Sequence, residues 1–305
     1  MRAWGRIACL AAGFALIVAY ASSALAQIAL VDDLGGNVRI EAPAQRIVSL
    51  APNLTEMVFA AGAGERLIAT VRGADYPSAA AGLPVVGDAA GVDLERIYRL
   101  RPDLVLAWGS GNRRSDIDRL ARKGFTVAVL EARSLTDVPR HLRMIGRLAG
   151  SEQTAGLAAA SFERGLDRLS ATYGHACTVG VFVEIWHQPV FTVGPDHAVS
   201  DALRVCAARN VLHEYPALAG PVPLENVVAA NADVILSLTG EPPSAAQSRW
   251  NNALPGSARP QLPVVSIAPD LLVRSGPRML TGIGRLCEQL AAMRSRVCEA
   301  GRPER

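Results

Sequence analysis

The chain has 305 residues, half of them apolar, with 31 basic and 28 acidic side chains and a formal charge of +3. So even a balance gives no electrostatic footprint for nucleic acid. The length suits two compact α/β lobes better than one small domain.

Arg2 and Arg6 precede an apolar run through Leu16, Ile17 and Val18, broken by Gly13, Ser22 and Ser23, and Ala24-Leu25-Ala26 then precedes Gln27. This is the pattern of a secretory signal peptide cleaved after Ala26. The run is shorter than the roughly 20 residues of a membrane-spanning helix and nothing later is longer, so no membrane insertion is expected. Cys9 leaves with the leader, so Cys177, Cys206, Cys287 and Cys298 remain, all in the second half. An even number in an exported chain reads as two disulfides. Zinc-type Cys/His spacing is missing, so no metal site is expected.

Arg46-Ile47-Val48-Ser49-Leu50 reads as a strand, and Asn53 with Glu56 three residues later reads as a capping box opening a helix through Phe59. Leu94-Glu95-Arg96-Ile97 through Asp103-Leu104-Val105-Leu106 then matches Leu224-Glu225-Asn226-Val227 through Asp233-Val234-Ile235-Leu236 without a gap. In each copy a helical spacing of apolar residues gives way to an Asp and a β-prone run, a helix followed by a buried parallel strand. A repeat this far apart is no solenoid period and points to two like lobes.

Between the copies, residues 151–173 lack Pro and place Leu157, Phe162, Leu166 and Leu169 on one side. This predicts a single spine helix, flanked by Gly150 and Gly174 and about 34 Å long at 1.5 Å per residue. The expected fold is therefore α/β, two Rossmann-like lobes with parallel-sheet cores (27–150 and 174–305) joined by that helix. In the second lobe Thr178 to Ile185 reads as a strand and Ser200 to Cys206 as a helix. Glu241 to Pro260 reads as an irregular surface loop, and Met279 to Val297 as a helix with Pro277 in its first turn.

Enzyme motifs are missing. Gly62-x-Gly64 follows a helix and lacks a third glycine, Gly109-Ser110-Gly111 has the wrong spacing for a nucleophile elbow, and the five histidines form no HExxH pair. No catalytic residue and no cofactor is expected. Binding chemistry is present instead. Trp108 ends the strand Leu104 to Ala107, at the carboxyl edge where open α/β sheets hold their ligands. Trp186 and Phe191 follow a strand in the second lobe. Aromatic rings there suit a large flat ligand, although the same residues can equally serve as core. Asp270 and Arg274 share a Pro- and Gly-containing loop, either to meet ligand amides or as a surface ion pair. Glu95 and Glu225 hold the same position of the repeat, either as paired docking carboxylates or as solvated helix charges.

These residues resemble the periplasmic binding proteins of the iron-siderophore, haem and cobalamin importers, and most of all the cobalamin-binding branch. The resemblance is carried by Arg46 to Pro52 with Thr55-Glu56, by Asp75-Tyr76-Pro77, and by Leu94 through Trp108 to Gly111-Asn112. Pro189 to Gly194, Cys206 with Cys287, and Asp270-x-x-x-Arg274 add to it. It implies a monomer that holds a cobalamin-like corrinoid between its lobes and hands it to the permease dimer of an ABC transporter. It implies that Trp108 and Phe191 contact the corrin and that Asp270 and Arg274 meet its side chains, with Glu95 and Glu225 binding arginines of the permease; Tyr76 is counted with the ligand-binding residues, and Trp186 with them as a substitute for aromatics that the chain lacks. It also implies a Cys206–Cys287 disulfide, which leaves Cys177 with Cys298. The chain departs from the cobalamin-binding pattern at Gly73, where that branch has Tyr, and at Gly87-Asp88, where it has Trp. Haem, a ferric siderophore or an incomplete corrinoid is therefore the alternative ligand; a corrinoid-processing enzyme or a sensor domain is the alternative class.

Overall fold

The structure is a computed structural model that describes residues 27–88, 90–254 and 262–298. The leader and residues 255–260 of the expected loop lie outside the described residues. A hairpin, β1 (Ile28–Val31) and β2 (Asn37–Ile40), opens the chain. The first lobe follows with β3 (Ile47–Ser49), α1 (Pro52–Ala60), β4 (Leu67–Ala69), the short hairpin β5 (Gly87–Asp88) and β6 (Gly91–Val92), α2 (Leu94–Leu100), β7 (Leu104–Trp108), α3 (Arg114–Arg122), β8 (Val127–Leu130) and α4 (Asp137–Ala149). Then comes the long helix α5 (Glu152–Tyr173). The second lobe contains β9 (Val179–Glu184), β10 (Trp186–His187), β11 (Val190–Val193), α6 (Ala198–Val205), β12 (Ala208–Asn210), β13 (Ala219–Pro221), α7 (Leu224–Ala229), β14 (Val234–Ser237), α8 (Pro243–Ala253), β15 (Val264–Ser266) and α9 (Met279–Cys298).

Each lobe is built on a four-stranded parallel sheet, ordered β4-β3-β7-β8 in the first and β12-β9-β14-β15 in the second. Numbered along each lobe, both orders are second, first, third, fourth. The repeated segment supplies α2 and β7 in one lobe and α7 and β14 in the other, and its register is kept in detail. Leu104 and Leu106 face the same core as Val234 and Leu236, while Val105 and Ile235 face outward cores of their own lobes. Arg101 and Asn231, equivalent residues after the two helices, are both left-handed, at φ 46° and 52°. The Asp of each copy ties its junction to the start of the first strand, because Asp103 accepts from Gln45 N and Arg46 N (2.8 and 3.0 Å) and Asp233 from Gly180 N (2.8 Å).

Helix α5 has 22 residues and is about 33 Å long. Its buried face is Ala155, Ala159, Phe162 and Gly165, continued by the half-buried Leu166 and Leu169. Leu157, placed on the apolar side by its spacing, is 66 % exposed. Small residues occupy the inner face because neighbouring helices come so close. A Cβ on Gly146 of α4 would meet Ala155 Cβ at 2.3 Å, and one on Gly165 would meet Leu280 of α9 at 2.6 Å. One apolar cluster therefore runs from Val38 and Leu104 through Phe162 to Val234 and Leu290 without a break between lobes.

Two further local expectations fail. Asn53 and Glu56 form no capping box. Helix α1 has Ala51 at its N-cap with no side-chain bond and Pro52 in its first turn, and Glu56 is turned inward toward the other lobe. The segment read as a loop contains helix α8, which starts at Pro243 and buries Trp250 to 1 % exposure. Trp250 packs edge-on against Phe182 at 5.6 Å and donates to Glu184 at 2.9 Å. A single large anchor folds a segment whose Pro, Ser and Asn content argues against helix. Both disulfides are formed, Cys206–Cys287 and Cys177–Cys298.

His197 caps α6, its Nδ1 accepting from Val199 N at 3.1 Å. Burial pushes its pKa down from 6.5 to about 4. The folded state therefore binds this proton less readily than the unfolded chain, so its contribution is complete above pH 6.5 and is lost as pH falls toward 4. His197→Asn, which keeps a capping acceptor, is expected to lose about 2 kcal/mol less stability than the parent between pH 7 and 4.5, measured by chemical denaturation at both.

Candidate ligand-binding site

In each lobe the winding direction reverses between the first and third strands, the switch point beside which, at the carboxyl ends of the strands, open α/β sheets hold their ligands. The loops leaving these ends bring the two lobes together. Leu135 N, after β8, donates to Asp201 of α6 at 3.0 Å. A cavity of about 410 Å³ is lined by Gly109, Ser110, Glu131, Arg133 and Arg140 of the first lobe and Leu218 of the second.

The candidate residues fall into three groups. Trp108 ends β7 half-buried, with part of its ring against the shared core. Its Nε1 donates to Glu131 Oε1 at 3.2 Å, and its N–H donates to Asn112 Oδ1 at 2.7 Å, while Asn112 Nδ2 donates to Leu50 O at 2.8 Å. Glu131 follows β8 and takes a second bond from Ser110 Oγ at 3.2 Å. Its own N–H donates to Asp33 at 2.7 Å, and Asp33 is bound by Arg140 and His141, each at 2.6 Å. Burial raises the Asp33 pKa, but the bonds from His141, Arg140 and the Glu131 backbone outweigh it and hold the carboxyl well below its usual range.

Trp186 and Phe191 are cross-strand partners in the hairpin β10–β11, so their side chains share one face. Trp186 is 55 % exposed and Phe191 half-buried. Among the described residues no ring contact links this pair to Trp108. Beneath the hairpin, Glu184 at the end of β9 is fully buried and is gripped by Arg249 of α8 through two bonds of 2.7 and 2.8 Å. The helix absent from the sequence reading thus anchors the end of β9, two residues before Trp186.

Tyr76, Asp270 and Arg274 form the third group, and here the lobes are bonded directly. Arg274 pairs with Asp270 at 3.0 Å within its own lobe and reaches Asp75 at 2.8 Å and Glu56 at 3.4 Å in the other. Arg278 binds Glu56 with both nitrogens of its fork, Nε at 2.8 Å, and stacks over the Tyr76 ring at 4.2 Å. Glu56 is 3 % exposed. The Arg274 bond is the chief cause holding Asp75 below its usual pKa, and the Glu56 bond raises Arg278. The sequence reading missed Glu56, Arg278 and Glu131. Glu56 carried a signal but a misleading one, since its spacing from Asn53 mimics a cap. Arg278 and Glu131 carried none.

Glu95 and Glu225 stand far from this chemistry, each second in its short helix and exposed, and Glu95 makes only a 3.7 Å contact with Arg99. One turn later on each helix comes an exposed apolar residue, Tyr98 at 64 % and Val228 at 52 %. Among the described residues no group of three or more His, Cys, Asp or Glu side chains has the arrangement to hold a metal ion.

Residues 47–252 match the family described as periplasmic binding protein. The chain belongs to that family. It is 35 % identical over 255 residues to a vitamin B12-binding protein of Pectobacterium carotovorum subsp. carotovorum (strain PC1), covering 82 % of this chain and 89 % of the relative. The crystal structure of the periplasmic vitamin B12 binding protein BtuF of Vibrio cholerae superposes with a TM-score of 0.73 at 27 % identity, over 82 % of this chain and 98 % of that one. The haem-binding protein BhuT, solved with two haems, shares the fold at a TM-score of 0.70 and 23 % identity, over 81 % and 98 %. As a member of the family the protein has a solute-binding role, and its two parallel-sheet cores and long connecting helix are the family fold.

The Glu56–Arg278 clasp gives a direct test. Arg278→Met leaves a buried carboxylate with only the 3.4 Å contact to Arg274 and is expected to cost about 3–5 kcal/mol in denaturant unfolding. Adding Glu56→Gln is expected to recover part of that loss, since the uncompensated charge goes with it.

Proposed function

We propose that the protein captures a cobalamin-like corrinoid in the periplasm and delivers it to the permease dimer of an ABC importer, with no chemical step of its own. The observation that carries this reading is the 35 % identity to a vitamin B12-binding relative across 82 % of the chain, combined with aromatic side chains at the carboxyl edges of both sheets. A corrin is broad, flat on its faces and fringed with amides. Trp108, Tyr76, Trp186 and Phe191 offer ring area at small rotamer cost, while Asp270 accepts and Arg274 donates toward the fringe. Residues 27–150 and 174–305 act as the two jaws and 151–173 as their connector, after removal of the leader at Ala26. Among the described residues no helix is long and apolar enough to cross a membrane.

Calorimetric titration with cyanocobalamin, dicyanocobinamide, haem and a ferric hydroxamate tests the ligand. Tight one-to-one binding is expected with a corrinoid, and Trp108→Ala is expected to weaken it by about 1 kcal/mol or more. Binding of haem or the hydroxamate alone would replace the ligand and leave the solute-binding role standing.

Docking rests on the pseudo-twofold pair. Glu95 with Tyr98 and Glu225 with Val228 present a carboxylate and an apolar residue on one helical face in each lobe, a pattern suited to two like permease subunits. The double variant Glu95→Ala/Glu225→Ala is expected to bind corrinoid unchanged while losing about tenfold or more in affinity for the permease in liposomes. A parallel loss of corrinoid affinity would remove the docking assignment.

A further inference from the structure

Glu131 has no role in the reading above, yet it is 9 % exposed in the wall of the cleft, beside Trp108. We propose that Glu131 is a positioning residue for ligand binding: its carboxylate and the bare backbone of Gly111 hold the Trp108 indole in one plane, presented to the cleft before the ligand arrives. This rests on the reading that Trp108 contacts the ligand.

The indole is fixed from its edge, its face and its root. At the edge, Nε1 donates to Glu131 Oε1 at 3.2 Å, and the same oxygen accepts from Ser110 Oγ at 3.2 Å. On the face, a Cβ built on Gly111 would sit 1.8 Å from Cε3 of the ring, so the indole lies flush on the loop it introduces and no other residue fits beneath it. At the root, strand pairing of Trp108 with Leu130 and the bond to Asn112 fix the backbone. Glu131 is fixed in turn, because it directly follows Leu130 and its N–H is bound by Asp33, which Arg140 and His141 lock.

A structural purpose alone does not call for a carboxylate here. Burying a charge against an aromatic ring costs desolvation that a leucine of similar size avoids. What the carboxylate adds is direction, since it accepts an N–H at one angle and so selects one ring orientation. A ring already immobilised spares the ligand the entropy of ordering it. No described donor reaches Oε2, so that oxygen stays free beside the cavity that Ser110, Arg133 and Leu218 share with Glu131.

The test compares Glu131→Gln, Glu131→Leu and Trp108→Ala in the mature protein by titration with cyanocobalamin. Proton–nitrogen correlation spectra report the Trp108 indole, assigned as the cross-peak lost in Trp108→Phe. Glutamine keeps an acceptor in place and is expected to bind within about threefold of the parent, while leucine is expected to weaken binding about tenfold and to shift the indole resonance. Affinity is the deciding readout: leucine leaves the Trp108 and Ser110 donors without their acceptor and is expected to lower the thermal midpoint in either case, whereas a purely structural role would leave affinity alone. Parental affinity in Glu131→Leu, with Trp108→Ala weakened, overturns the positioning role and leaves the ligand site intact. Parental affinity in Trp108→Ala removes the site and this role together. Should the leucine variant not fold, Gly111→Ala disturbs the ring from its other face with Glu131 untouched. It is expected to weaken binding to the same degree, and unchanged affinity there overturns the proposal.

Discussion

The apolar core that passes through helix α5 from one sheet to the other is the constraint on which the molecule depends. Phe162 and the small residues Ala155, Ala159 and Gly165 belong at once to the packing of α4, α9 and both sheets. Spreading the lobes about α5 would expose surface that is now interior, and interiors at crystal-like density do not deform continuously. The clasp of Glu56 with Arg278 and Arg274 adds a second bond between the lobes, away from the spine. The two sheets are thereby tied together at two places, the packed spine and the carboxylate–arginine clasp.

Duplication gives those walls their character. The outer features repeat: Arg101 with Asn231, Asp103 with Asp233, Glu95 with Glu225, and Tyr98 with Val228. The inner ones do not. The residue equivalent to Trp108 is Leu238, 1 % exposed, and the aromatics of the second lobe come from the hairpin after β9, which has no counterpart in the first. A symmetric exterior with an asymmetric cleft is what a twofold partner outside and an asymmetric ligand inside would each require, so the proposed permease and corrinoid account for different surfaces of one repeat.

Much of this was legible in the sequence because it is periodic. The matching segments, the Pro-free spine and the buried runs at Leu104 and Val234 are local patterns whose period names the element. The inner face of the spine was legible only in part. Leu157 is misleading because an apolar side chain need not be buried, while close helix approach selects glycine and alanine. Helix α8 was hidden because its stability comes from Trp250 meeting Phe182 and Glu184, residues 68 and 66 positions away. Glu56 was misread because its spacing satisfies a local rule, whereas its partners lie more than two hundred residues on.

The long-range residues share one chemistry. Glu56, Glu131, Glu184 and Asp33 are buried or nearly buried carboxylates at or beside the carboxyl ends of the strands, and each binds a candidate residue or its support. Glu56 holds Arg274 and Arg278, Glu131 holds Trp108, Glu184, two residues before Trp186, holds Arg249 and Trp250 of α8, and Asp33 holds the backbone of Glu131. As contributions to stability such groups are poor choices, because desolvation consumes most of what their bonds return. As fixtures they are good ones, since a charged acceptor with two or three donors fixes angle as well as distance. The rings and guanidinium groups of the candidate site are therefore oriented one layer deeper, by carboxylates that no local pattern in the sequence reveals.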